Sequence, residues 1–198
     1  VRCSSSSVFD RDSQEFLFYI LPLMAFDIFY PRRTLPVEAP TVGRFVGEIV
    51  GGLFLYDFYF FWSHLLVHKV PSIYRAIHAK HHGKQVVRAR DVVRLSVAEE
   101  VLDVACSIAA LNTLKAHPLS RACYDVVIIF LLCELHSGYD FPWQLQNVVP
   151  FGLWGGSRRH VAHHVKGRVY YQKFFTYLDN LFGYVEKGEG NTFDKVAK

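Results

Sequence analysis

Apolar positions along the chain gather into four segments: Phe16 to Phe29, Phe45 to Trp62, Val101 to Leu114 and Ala122 to Leu135. Each is long enough for a helix, but none is an uninterrupted run of the length that usually spans a bilayer. Asp27, Glu48, Asp57, Asp103 and Asp125 punctuate them, and Pro22 predicts a kink in the first. The pattern predicts an all-α helical bundle forming a single domain over residues 1–198, with no internal repeat and no linker long enough to divide it. From Leu181 to Lys198 the chain turns polar and reads as a short tail.

The positions of the charges decide between a soluble core and a membrane bundle. Lys69, Arg75, Lys80, Lys84, Arg88, Arg90 and Arg94 lie between the second and third segments. Arg158, Arg159, Lys166, Arg168 and Lys173 follow the fourth, whereas the link between the third and fourth carries only Lys115 and Arg121. The positive-inside rule then predicts about four membrane segments with both basic regions on the cytosolic side. Arg32 and Arg33 conflict with that rule, which leaves the first segment as a half-span or an interfacial helix.

Composition agrees with a membrane protein. Hydrophobic residues make up 51% of the chain and aromatic residues 16%, with a formal net charge of +4. No basic stripe interleaved with aromatics marks a nucleic-acid surface. Cys3, Cys106, Cys123 and Cys133 include no C-x-x-C pair, so buried free thiols are expected. Val1 to Arg11 is serine-rich and polar, without the apolar run of a secretory signal, and the chain opens at Val1, so part of the natural N-terminus is expected to precede it.

Histidine carries the chemistry. Nine of the ten histidines fall in His64-Leu-Leu-Val-His68, His78-Ala-Lys-His81-His82, the single His136, and His160-Val-Ala-His163-His164. An H-x-x-H-H pattern is expected about 0.025 times by chance in such a chain, yet it occurs twice. On a helix, positions i, i+3 and i+4 share a face, so each triplet predicts a three-nitrogen patch, with Ser157 placed to cap the second. By the predicted topology all nine meet on one side of the membrane. His117 falls on the other and reads as an exposed loop residue. All-imidazole ligation suits iron, zinc, copper or nickel. Nine nitrogens are too many for one ion and fit two, leaving roughly three of about twelve octahedral positions open. Asp57, two turns before His64, and Glu134 and Asp140, flanking His136, are candidates to hydrogen-bond the ligand histidines from outside.

The motif order H-x-x-x-H, H-x-x-H-H, single His, H-x-x-H-H resembles the fatty acid hydroxylase superfamily of sterol desaturases and hydroxylases. His136-Ser-Gly-Tyr-Asp-Phe-Pro-Trp143 and Val149-Pro-Phe-Gly152 resemble its cholesterol 25-hydroxylase-like branch, and the likeness runs from about Asp57 to Tyr184. Two departures stand in the last box, where Arg159 and Val161 replace the family's His and Asp. The resemblance implies a non-haem di-iron monooxygenase in the endoplasmic reticulum membrane, with two Fe ions in a cytosolic cap held by His64, His68, His78, His81, His82, His136, His160, His163 and His164. It implies O2 as oxidant, a lipid or sterol substrate hydroxylated at a C–H bond, and electrons from NAD(P)H through cytochrome b5 or a reductase. The absence of a G-x-G-x-x-G turn agrees with an external electron donor. The alternatives are a desaturase or C4-methyl oxidase on the same scaffold, or a membrane metal-binding or transport protein without catalysis.

Overall fold

The structure, a computed structural model, describes residues 36, 38–83, 88–93 and 95–186. The chain divides into units 1–39 and 40–198. The second holds every element described below, and the first apolar segment, Phe16 to Phe29, lies outside the described residues. The described residues are helical, with one isolated β-bridge between Trp154 and Phe175.

Helix α1, Val42–Lys69, absorbs the second apolar segment; Thr41 caps it, accepting the Arg44 N–H at 3.3 Å. One helical turn, Pro71–Ile73, and a π-helical turn, Tyr74–His78, follow directly. Helices α2, Val97–Thr113, and α3, Pro118–Leu135, take up the third and fourth segments as an antiparallel hairpin. Ser96 caps α2, and Pro118 starts α3, where its missing N–H costs nothing. Helix α4, Gly156–Lys166, ends at Gly167 in the left-handed conformation (φ 65°), and a short α5, Tyr177–Phe182, ends likewise at Gly183.

The core lies where α1 packs on the hairpin. Leu53, Tyr56 and Phe60 meet Ala110 and Leu111 from α2 and Tyr124, Ile128 and Leu131 from α3. Gly52 permits the closest approach, since a Cβ there would stand 3.0 Å from the Tyr124 ring. The opposite side of α1 is an exposed apolar ridge at every fourth position: Val42, Val46, Val50, Phe54, Phe58, Trp62 and Leu66. An apolar ridge running the whole length of a helix is a lipid-facing or partner-facing surface rather than an ordinary soluble one. The aromatic run from Phe54 to Trp62 is thus divided, with Tyr56, Phe60 and Phe61 turned inward.

Among the described residues, α1 is the one helix long and apolar enough to cross a membrane. At 1.5 Å per residue it is about 42 Å long, while α2 and α3 reach only about 25–27 Å. Four spans were expected; the described residues supply one candidate span and a shorter hairpin. Two smaller expectations also change. Leu181 to Tyr184 is not tail, because Tyr184 donates its N–H to the Asp179 carbonyl (2.8 Å) and accepts from Tyr170 N–H (2.8 Å). Cys106 is a buried free thiol, but Cys123 and Cys133 are half-buried.

Candidate metal centre

The C-terminal end of α1, the N-terminal end of α2 and the C-terminal end of α3 lie at the same end of the bundle, and the histidines collect there. His64 and His68 occupy the last two turns of α1, and His136 caps the end of α3. His160, His163 and His164 project from α4. That helix is seated by Gly156, whose φ is +58° and whose Cβ, if present, would overlap the Gln146 side chain. Ser157 is not its cap, as expected from sequence; Gly155 holds that position, and Ser157 N–H donates to Gln146 Oε1.

The nine nitrogens converge as two groups, five from His64, His68, His78, His82 and His163, and four from His81, His136, His160 and His164. Within each group the ligand atoms lie within 4.8 Å of one another. This corrects the expectation of one patch per triplet. Each H-x-x-H-H is split, with His81 leaving its neighbours for the second group and His163 leaving its own for the first. Only the second triplet lies on a regular α-helix; His78 ends the π-turn, and His81 and His82 follow in a non-helical turn.

The partners of the outer nitrogens assign the tautomers. His64 Nδ1 donates to the Tyr171 carbonyl (2.8 Å), His163 Nδ1 to that of Val169 (2.7 Å) and His136 Nδ1 to that of Leu132 (2.8 Å). A carbonyl can only accept, so in each ring the proton sits on Nδ1 and Nε2 is a bare lone pair. His78 Nδ1 pairs with Glu99 Oε1 (2.5 Å), which turns its Nε2 toward His64. That atom lies 3.1 Å from His64 Nε2. With both rings neutral and protonated on Nδ1, these two nitrogens present lone pairs to one another, and a cation between them removes the repulsion. In the second group His136 Nε2 lies 2.8 Å from His160 Nε2, which lies 3.0 Å from His164 Nε2. His82 Nε2 and His163 Nε2 are buried with no partner. The donor set therefore fits metal ions and leaves little else that would satisfy it.

Burial favours the neutral form that a ligand must have. It pushes His82 down to about 4 and His164 to about 2, with the neighbouring histidines adding to the shift. His81, His160 and His163 are held well below the ordinary range for the same two reasons.

None of the three acids expected to hold ligand histidines does so directly. Asp57, fully buried, spends its oxygens on the backbone N–H groups of Lys173 (2.8 Å), Phe174 (3.2 Å) and Phe175 (2.8 Å) and on Gln172 Nε2 (3.0 Å). Asp179 accepts the N–H groups of Tyr171 and Gln172. Together they fix the segment whose carbonyls hold His64 and His163, so Asp57 acts one step further out. Glu134 hydrogen-bonds Gln144, and Asp140 accepts from Gln146 and Asn147 and pairs with Arg158. The acid at the histidines is Glu99, which sequence reasoning missed. Ser96-Val-Ala-Glu99 has the S-x-x-E spacing of a capping box, a signal that would have placed a carboxylate at the start of α2. His117 joins neither group. It is half-buried rather than exposed and caps α3, its Nδ1 accepting the Leu119 N–H at 3.1 Å.

Residues 49–184, a span containing all nine histidines, match the family described as fatty acid hydroxylase. The chain belongs to the fatty acid hydroxylase family. Relatives within it include a cholesterol 25-hydroxylase-like protein of Danio rerio, 38% identical over 83% of this chain and 66% of its own length. The cholesterol 25-hydroxylase of Rattus norvegicus is 34% identical over 84% of this chain and 56% of its length. That of Homo sapiens is 38% identical over 75% and 55%. The chain thus spans between 55% and 66% of the length of these hydroxylases. No solved structure matches it.

Proposed function

We propose that the chain is the metal-holding part of a di-iron, O2-dependent membrane hydroxylase acting on a C–H bond of a sterol. The observation that carries this reading is the convergence of nine imidazoles as a five-histidine group beside a four-histidine one, with His64 Nε2 and His78 Nε2 3.1 Å apart. The family and the names of its relatives supply the substrate class. A di-iron centre with O2 provides the oxidant for an unactivated C–H bond, which no acid–base side chain can break. In this reading the nine histidines named above hold the two irons, and electrons arrive from NAD(P)H through cytochrome b5 or a reductase.

The chain's own residues shape the surroundings. A cavity of about 30 Å³, the room of about one water molecule, adjoins both groups, lined by His64, His78, His81, His136 and His160. Phe60, Val92, Leu95 and Leu132 make its apolar wall. Lys173 reaches the same cavity, its ammonium held by Asp103 Oδ1 (2.6 Å) and Tyr56 OH (2.8 Å) and lying 3.9 Å over the Phe60 ring. It presents proton-bearing nitrogen beside the histidines. The basic stretches flanking the histidines support placement at the cytosolic face of the endoplasmic reticulum, with α1 crossing the bilayer.

The compactness of the histidine groups disfavours transport, which needs polar groups spread along a path through the membrane. Expression in a sterol-producing host, with lipid profiling by mass spectrometry, tests the proposal. Added oxygen on a sterol is expected; loss of two hydrogens instead would identify a desaturase. Product that persists in His163→Ala would refute the role given to the histidines of α4.

A further inference from the structure

The two histidine groups are not supported alike, and the difference singles out Glu99. The Nδ1 protons of His64, His163 and His136 go to neutral backbone carbonyls. That of His78 goes to a carboxylate oxygen at 2.5 Å, between side chains that are 4% and 9% exposed. The second oxygen, Glu99 Oε2, is buried without a hydrogen-bond partner.

A buried, half-satisfied carboxylate is costly unless positive charge stands nearby. Its place in the first turn of α2 supplies part of this, because backbone N–H groups converge there. Lys173, which shares the cavity wall, is engaged by Asp103. A cation on the far side of the His78 ring supplies the rest. A carboxylate at Nδ1 pushes electron density through the ring and makes Nε2 a stronger donor.

We propose that Glu99 is a positioning residue which, acting through His78, makes the five-histidine group the tighter-binding of the two metal sites. This rests on reading the histidine groups as metal sites. Glu99 orients His78, fixes its tautomer and balances the charge of the ion that His78 helps to hold. The four-histidine group receives no such carboxylate among the described hydrogen bonds and fills second.

The test is a titration of the metal-free chain, purified in detergent, with Co2+ against a competing chelator of known affinity. Two binding steps are expected in the parent chain. Glu99→Gln keeps an acceptor for His78 and removes the charge, and should weaken the tighter step about 10–100-fold while leaving the other in place. In a His78→Ala background, adding Glu99→Gln should weaken binding no further, as for two residues acting through one contact. Unchanged steps in Glu99→Gln, equal weakening of both, or an additive effect in the His78→Ala background would each overturn the proposal. So would a lower thermal transition for metal-free Glu99→Gln than for the metal-free parent, which would assign Glu99 to the fold instead. A parent chain that takes up no Co2+ would defeat the metal-centre reading itself, a failure distinct from a parent that binds two ions with Glu99→Gln behaving identically.

Discussion

At the loop end of the α2–α3 hairpin, polar groups pair with nearby backbone and side chains, although His117 Nε2 is left without a partner. Glu48 accepts the His117 N–H at 3.0 Å, His117 caps α3, and Arg121 donates to the carbonyls of Ala116 (3.0 Å) and Leu111 (2.9 Å). At the open end, His64, His136 and His163 fix their Nδ1 atoms on backbone carbonyls and His78 on Glu99, and the nine rings turn nitrogens toward one another in two groups. Both ends place a histidine near a carboxylate, His117 through its backbone N–H to Glu48 and His78 through its ring to Glu99. What separates His117 from the nine is company: its ring nitrogen stands alone, whereas theirs lie within 4.8 Å of other imidazole nitrogens in each group.

The comparison breaks most severely if a histidine at the open end proves dispensable. His164→Ala should lower sterol oxidation by on the order of 100-fold or more and cut bound metal, read by mass spectrometry and elemental analysis. Chelator treatment of the unmutated chain should match it. Next in size is Asp57→Ala, which strips the acceptor from three backbone N–H groups. A loss of at least about 3 kcal/mol in chemical denaturation is expected, because each orphaned buried donor costs about 1–3 kcal/mol.

Acid should separate the two ends without mutation. His82 at about 4 and His164 at about 2 are lowered in the folded chain relative to about 6.5 when unfolded, so the unfolded chain binds more protons below that value. The stability they contribute is fully present above about pH 6.5. It is lost progressively as pH falls toward 4 and below, and the thermal transition of the metal-free chain should fall over that window. The smallest effect belongs to His117→Ala, which removes a helix cap. It should cost about 1 kcal/mol and leave metal content and product unchanged; a loss of metal there would erase the distinction between the two ends.

Much of the site was legible in the residues because metal ligation demands a narrow chemistry. Two H-x-x-H-H boxes, a His-x-x-x-His pair and a lone His136 leave few other readings. The outer partners were harder to see. Asp57 is close to His64 along the helix but points to residues 172–175, while Glu99 reaches His78 across 21 positions of sequence. Proximity in sequence ranks acids by the helix they share with a ligand. Hydrogen bonding depends on which helix end arrives beside it.

The amino-acid order by itself determined the helices of the last three apolar segments and which nine histidines would gather at one end, because hydropathy and side-chain chemistry are local properties of residue type. Tertiary structure alone decided how the nine divide into five and four. It also decided that His81 and His163 leave their own triplets, and that Glu99 rather than Asp57 meets a ligand. Those outcomes depend on where α1, α2, α3 and α4 cross, and crossing is set by packing at contacts such as Gly52 on Tyr124 and Gly156 on Gln146.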